Sequence, residues 1–202
     1  MTALILLIQF PPPSFYIFNF TFYILSPSKF GIPCSLFVIP YLAPMTNDEQ
    51  KFLEKAIELS RKGIENKEGG PFGCVIVKDG EIIGEGYNQV TANNDPTAHA
   101  EVVAIRNACK TLGSFQLTEC DVYTSCEPCP MCLGAIYWAR PRKVIYANTK
   151  EDAAAIDFDD RFIYDEIEKK DSERQIPFFH HPHPDALKVF RQWKESGTKT
   201  VY

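Results

Sequence analysis

The stretch CDVYTSCEPCPMCLGAIYWARPRKVIYAN, residues 120 to 148, decides the fold. Its two ends, CDVYTS (120 to 125) and RKVIYAN (142 to 148), are rich in Val, Ile, Tyr and Thr and read as strands. CPMCLGAIYWA between them reads as a helix that starts at the cysteines. The order strand, helix, strand predicts parallel pairing through a right-handed crossover, and hence an α/β domain. Cys126, Cys129 and Cys132 fall at three-residue intervals inside this unit, so the segment that sets the fold also poses a chemical question.

Upstream the pattern continues. TNDEQKFLEKAIELSRKGIEN begins with Thr46 and Glu49 at capping-box spacing. Phe52, Leu53, Ala56, Ile57, Ser60, Gly63 and Ile64 recur at helical intervals, predicting a first helix with one mostly apolar stripe. GCVIVKDGEIIGEGYN reads as a hairpin turning at Asp79-Gly80, a dipeptide suited to a type I′ turn. Asp95-Pro96-Thr97 is expected to open a second helix running through Ala98, Val102, Val103, Ile105 and Ala108 to Gly113.

The composition breaks near residue 45. Residues 1 to 44 carry one charge, Lys29, and seven prolines among Phe, Ile, Leu and Tyr. No basic leader or small-residue cleavage site marks a secretory signal, and the prolines cut the apolar runs below the length of a membrane span. The expectation is an extension outside the working domain at 1 to 44 and a single functional domain at 45 to 202, cytoplasmic and with no membrane role. Over the 202 residues, 21 Lys and Arg against 26 Asp and Glu leave a net charge of −5. That balance offers no electrostatic footprint for a polyanion, so nucleic acid is excluded as a partner and small ligands are favoured.

Seven cysteines, an odd number, in a chain of this size point to metal ligation rather than to a disulfide scaffold. A ferredoxin-type cluster would continue with a fourth cysteine after three intervening residues, at position 136, where Ile136 stands instead; a redox dithiol is the other option left open. The better partner lies upstream. His99 and Glu101 in DPTAHAEVVAIR, with Pro128-Cys129-Pro130-Met131-Cys132, complete H-x-E…P-C-x-x-C, the signature of the zinc deaminases. One imidazole and two thiolates give three protein ligands and leave a fourth tetrahedral position open, as a catalytic rather than a structural zinc requires. His99, Cys129 and Cys132 are the expected ligands of one Zn2+ per subunit. Glu101, which the metal does not need, is the expected general acid and base, and Cys126 a supporting residue or an alternative ligand. His180, His181 and His183 in FFHHPHP read as a solvated loop, and the segment DALKVFRQWKESG after them as an amphipathic helix.

GGPFG, DPTAHAEV, CEPCPMCLGAIYWAR, FDD and the terminal tyrosine resemble the bacterial-type guanine deaminases of the cytidine deaminase-like superfamily, over nearly all of residues 46 to 202. The resemblance implies a three-layer α/β/α sandwich around a mixed five-stranded sheet and a homodimer with exchanged C-terminal segments. It implies hydrolysis of guanine to xanthine and ammonia by zinc-bound hydroxide with Glu101 as proton shuttle. It also implies substrate contacts: Asn88 hydrogen-bonding the purine, Phe72 stacking on it, Asp160 accepting from its N–H groups, Tyr202 closing the pocket, and Trp138 touching substrate or serving the core. Cytosine or nucleoside deamination, adenosine editing on tRNA, and a non-catalytic zinc module are the competing readings.

Overall fold

A computed structural model describes residues 44–201; the extension at 1 to 44 lies, but for Pro44, outside the described residues, as does Tyr202. Helix α1, Asn47–Glu65, starts where the sequence places it: Thr46 accepts from the Glu49 N–H and the Glu49 carboxylate accepts from the Thr46 N–H, a complete capping box. Strands β1, Gly73–Lys78, and β2, Glu81–Tyr87, form the hairpin. Asp79 and Gly80 both take positive φ, 50° and 82°, as a type I′ turn demands. After a short helix α2, Val90–Asn93, come α3, Ala100–Leu112, β3, Cys120–Cys126, α4, Pro130–Ala139, and β4, Lys143–Asn148. Helices α5, Lys150–Ala154, α6, Arg161–Glu168, and α7, Pro184–Glu195, follow.

The strands order as β2-β1-β3-β4, with β1 antiparallel to both β2 and β3, and β3 parallel to β4 through α4. Side chains alternate across this mixed sheet. Cys74, Ile76, Cys120 and Val122 bury one face beneath Ala100, Ala104 and Ala108 of α3 and Ala139 of α4. Val75, Val77 and Tyr123 bury the other against Leu59 of α1. Helix, sheet, helix makes three layers. Gly84 and Gly86 let α3 lie directly on β2: a Cβ at Gly86 would sit 2.3 Å from the Ala100 carbonyl oxygen, and one at Gly84 2.6 Å from that of Ala104.

Three expectations need correction. The sheet has four strands among the described residues, not five. Beyond β4 the chain enters α5 through a second capping box, Thr149 with Asp152, and continues into α6 and α7 without returning a strand to the β4 edge. The stripe of α1 runs through Ala56, Leu59 and Gly63, leaving Ile57 and Ile64 at its exposed edge. Helix α3 starts at Ala100 rather than at Asp95 to Thr97, because Asp95 Oδ1 accepts from both the N–H and the hydroxyl of Thr97 and holds that segment in a turn.

Candidate active site

Two helix N-termini meet beyond the C-terminal end of β3. His99 is the N-cap of α3 and Cys129 the N-cap of α4, each with extended backbone angles. An N-cap side chain ordinarily folds back to accept from its own helix, but neither of these does. They face each other instead. His99 Nδ1 lies 3.5 Å from Cys129 Sγ and 3.5 Å from Cys132 Sγ, and the three donor atoms lie within 4.8 Å of one another. Zinc bonds of about 2.05 Å to nitrogen and 2.3 Å to sulfur at tetrahedral angles give a nitrogen-to-sulfur edge of about 3.5 Å. The residues therefore fit that ion, with Nδ1 as the imidazole ligand.

The local electrostatics favour thiolate at Cys129. A hydrogen bond from Cys132 pulls the Cys129 thiol down to about 4, while the same interaction, with burial, pushes Cys132 up. The hydrogen bond to Cys129 raises His99 above its ordinary range. Free N–H groups and the positive end of α4 reinforce the negative charge on Cys129. Cys126 is different: burial lifts its thiol to about 11, its Sγ lies 3.5 Å from the Thr149 carbonyl oxygen as donor, and it stands outside the three-donor cluster.

Glu101, in the first turn of α3, is only 5% exposed. Burial raises its carboxyl above the usual range, and the Thr124 hydroxyl donates to its Oε1 at 3.2 Å. It opens with His99 and Cys129 onto a cavity of about 620 Å³ that Asn88, Phe72, Phe158, Phe162 and Asp160 also line. Asn88 is buried, its Oδ1 accepting from the Val90 N–H, which leaves the amide nitrogen as a donor. Phe72 and Phe158 meet edge to face, centroids 5.0 Å apart. Burial and the nearby Cys129 charge raise Asp160 above its usual range. A cavity of this size with few convergent polar groups and perturbed carboxyls is suited to a small, flat, polar ligand.

Trp138 does not join this wall; it sits on the outer side of α4, 65% exposed, neither lining the cavity nor in the core. The helical rotation from Cys132 to Trp138 turns it away. The histidine tract forms no metal cluster among the described residues, and His183 instead caps α7, its Nδ1 accepting from the Asp185 N–H at 3.2 Å. Sequence reasoning missed Thr124, Phe158 and Phe162. Phe158 stands beside Asp160 in FDD, a short motif whose aromatic residue looks like core until the loop is folded.

The chain belongs to the cytidine and deoxycytidylate deaminase zinc-binding family, which matches residues 46–148. Within that class it is similar to the guanine deaminase of Bacillus subtilis, 56% identical over 155 residues, 77% of this chain and 99% of the relative. The crystal structure of that protein superposes with a TM-score of 0.75 over 78% of this chain and 99% of its own. The guanine deaminase of Nitrosomonas europaea aligns at 30% identity and a TM-score of 0.53, over 58% of this chain and 67% of its own. A tRNA-specific adenosine deaminase of Aquifex aeolicus is 41% identical over 99 residues, 49% of this chain and 65% of that relative.

Proposed function

We propose that this protein hydrolyses guanine to xanthine and ammonia. The observation that carries the chemistry is a buried carboxylate, Glu101, beside a three-donor set with tetrahedral zinc spacing, both opening on one cavity. The choice of base rests on likeness along nearly the full length of a guanine deaminase. Likeness to the tRNA-specific enzymes stops at half the chain, and the net charge of −5 disfavours a polyanion.

His99, Cys129 and Cys132 would hold zinc, which when bound lowers the pKa of water toward neutrality and so supplies a nucleophile at ordinary pH. Glu101 would accept one proton from water and pass it to the ring nitrogen, then take the second from the hydroxyl newly bonded to the ring carbon and pass it to the amine as the carbon–nitrogen bond breaks. Guanine plus water thereby becomes xanthine plus ammonia, with the carboxylate regenerated. Phe72 stacks on the ring. The Asn88 amide donates to purine acceptors, while Asp160 accepts from ring and exocyclic N–H groups. Tyr202 closes the pocket.

We further assign the functional domain to residues 45 to 202, place it in the cytoplasm, and read it as a homodimer with exchanged C-terminal segments. What supports exchange is α7: Leu187, Phe190 and Trp193 lie on one side of the helix, and none is buried. No helix among the described residues is long and apolar enough to cross a membrane. The test is zinc content together with ammonia release from guanine, guanosine, adenine and cytosine, on the full chain and on 45 to 202, with Glu101→Ala as control. Guanine turnover lost in the variant at unchanged zinc content supports the reading. Turnover of guanosine or cytosine in place of guanine removes the substrate assignment, and zinc without turnover of any base removes the enzyme.

A further inference from the structure

Strand β3 is buried along its whole length, yet its fifth residue is a threonine. Parity places it. Cys120 and Val122 face α3, so Thr124 faces α3 too, and it is 1% exposed. Its hydroxyl lies 3.2 Å from Glu101 Oε1 and 3.4 Å from the Gly73 carbonyl oxygen. A hydroxyl has one proton to give and here two acceptors in reach. A carboxylate draws that proton more strongly than a peptide carbonyl, and the shorter distance agrees.

Building on the reading of Glu101 as the proton carrier, we propose that Thr124 is the positioning residue of this carboxylate: it holds Oε1 from the sheet and so leaves Oε2 as the oxygen that exchanges protons at the cavity. The geometry makes this more than packing. Glu101 reaches its place by three rotatable bonds from the end of a helix, and a carboxylate free to swing about its last torsion would offer either oxygen in varied directions. The hydrogen bond to a fully buried, χ1-restricted threonine on the interior strand β3 restricts that freedom, alongside the Glu101 backbone N–H and the Cys132 side chain that also bond the carboxylate. Gly73, opening β1, is itself tied to the next residue of β3, its N–H donating to Ser125 Oγ at 3.0 Å, so the mount is rigid on both sides. Thr124 is neither among the residues lining the cavity nor in the three-donor cluster, and its effect runs through Glu101.

The test is a pair of variants. Thr124→Val keeps shape and removes the hydroxyl; Thr124→Ser keeps the hydroxyl and removes the methyl. Positioning predicts that kcat for guanine falls about 10- to 100-fold in the valine variant, with KM within about twofold and zinc content unchanged, and that serine restores kcat to within about threefold of wild type. Equal kcat in Thr124→Val overturns the proposal, as does a serine variant no better than valine, loss of zinc, or an effect confined to KM. A second readout needs no turnover. In the zinc-loaded protein, the melting-temperature shifts of Thr124→Val and Glu101→Ala should be non-additive in the double variant if the two side chains are bonded, and additive shifts refute the bond. If wild type fails on guanine, the substrate reading fails by itself, and this cycle still decides the Thr124 link.

Discussion

Gly86→Ala should damage zinc binding from the far side of a helix. A Cβ at Gly86 would lie 2.3 Å from the Ala100 carbonyl oxygen and 2.6 Å from the Ala104 nitrogen, both main-chain atoms that cannot swing aside. Cβ atoms essentially never approach closer than 3.0 Å, so moving from 2.3 Å to 3.0 Å lifts the start of α3 by about 0.7 Å. Ala100 is the first residue of that helix and His99 its N-cap. Metal–ligand distances tolerate only about 0.2 Å, so the imidazole leaves the tetrahedral edge it shares with Cys129 and Cys132. The expected cost is a 10- to 100-fold weaker zinc affinity, measured by chelator competition, with about 1–3 kcal/mol of stability from overpacking. Gly84→Ala is the internal control. Its Cβ meets the Ala104 carbonyl oxygen at 2.6 Å and Ala108 at 2.7 Å, a turn or more further along α3. It should lower the melting temperature comparably, by a few degrees, while leaving zinc affinity within about threefold. Equal zinc affinities for the two variants at similar destabilisation would refute the claim that the glycine-backed contact sets the His99 position.

Asp160→Ala should raise KM for guanine at least tenfold while sparing zinc; full guanine turnover in that variant would remove Asp160 from the base-binding set. Glu49, whose hydrogen bond from Lys143 and capping role hold it down at about 2, gives a pH-dependent stability. A depressed carboxyl stabilises the fold above its unfolded pKa of about 4.3 and loses that contribution as pH falls toward 2. The Glu49→Gln variant should therefore melt below wild type at pH 7, by an amount limited because the pair is near solvent, and converge with it near pH 2; a gap independent of pH would contradict this. Phe190→Lys on the apolar side of α7 should shift the protein toward monomer in light scattering at micromolar concentration, and an unchanged mass would count against exchange of the C-terminal segment.

What the sequence determined by itself was chemistry carried by local spacing. His-x-Glu and Cys-x-x-Cys, each at the start of a helix, point to three candidate metal donors and to a carboxylate beside them, because side chains two or three residues apart at a helix N-terminus are placed by backbone geometry. The Asp79-Gly80 turn and the Thr46–Glu49 capping box rest equally on interactions within four residues. The tertiary structure decided the rest. That the two N-caps face each other at 3.5 Å depends on α3 and α4 sharing one side of the sheet. That Thr124 bonds Glu101 joins residues 23 apart in the chain, and only strand parity reveals it. Trp138 and Phe158 exchange their expected prominence for the same reason: a hydrophobic residue in sequence does not say whether it faces core, cavity or solvent. That no fifth strand joins the sheet among the described residues is also a tertiary result: after β4 the chain runs through α5, α6 and α7 and brings no segment back to the β4 edge.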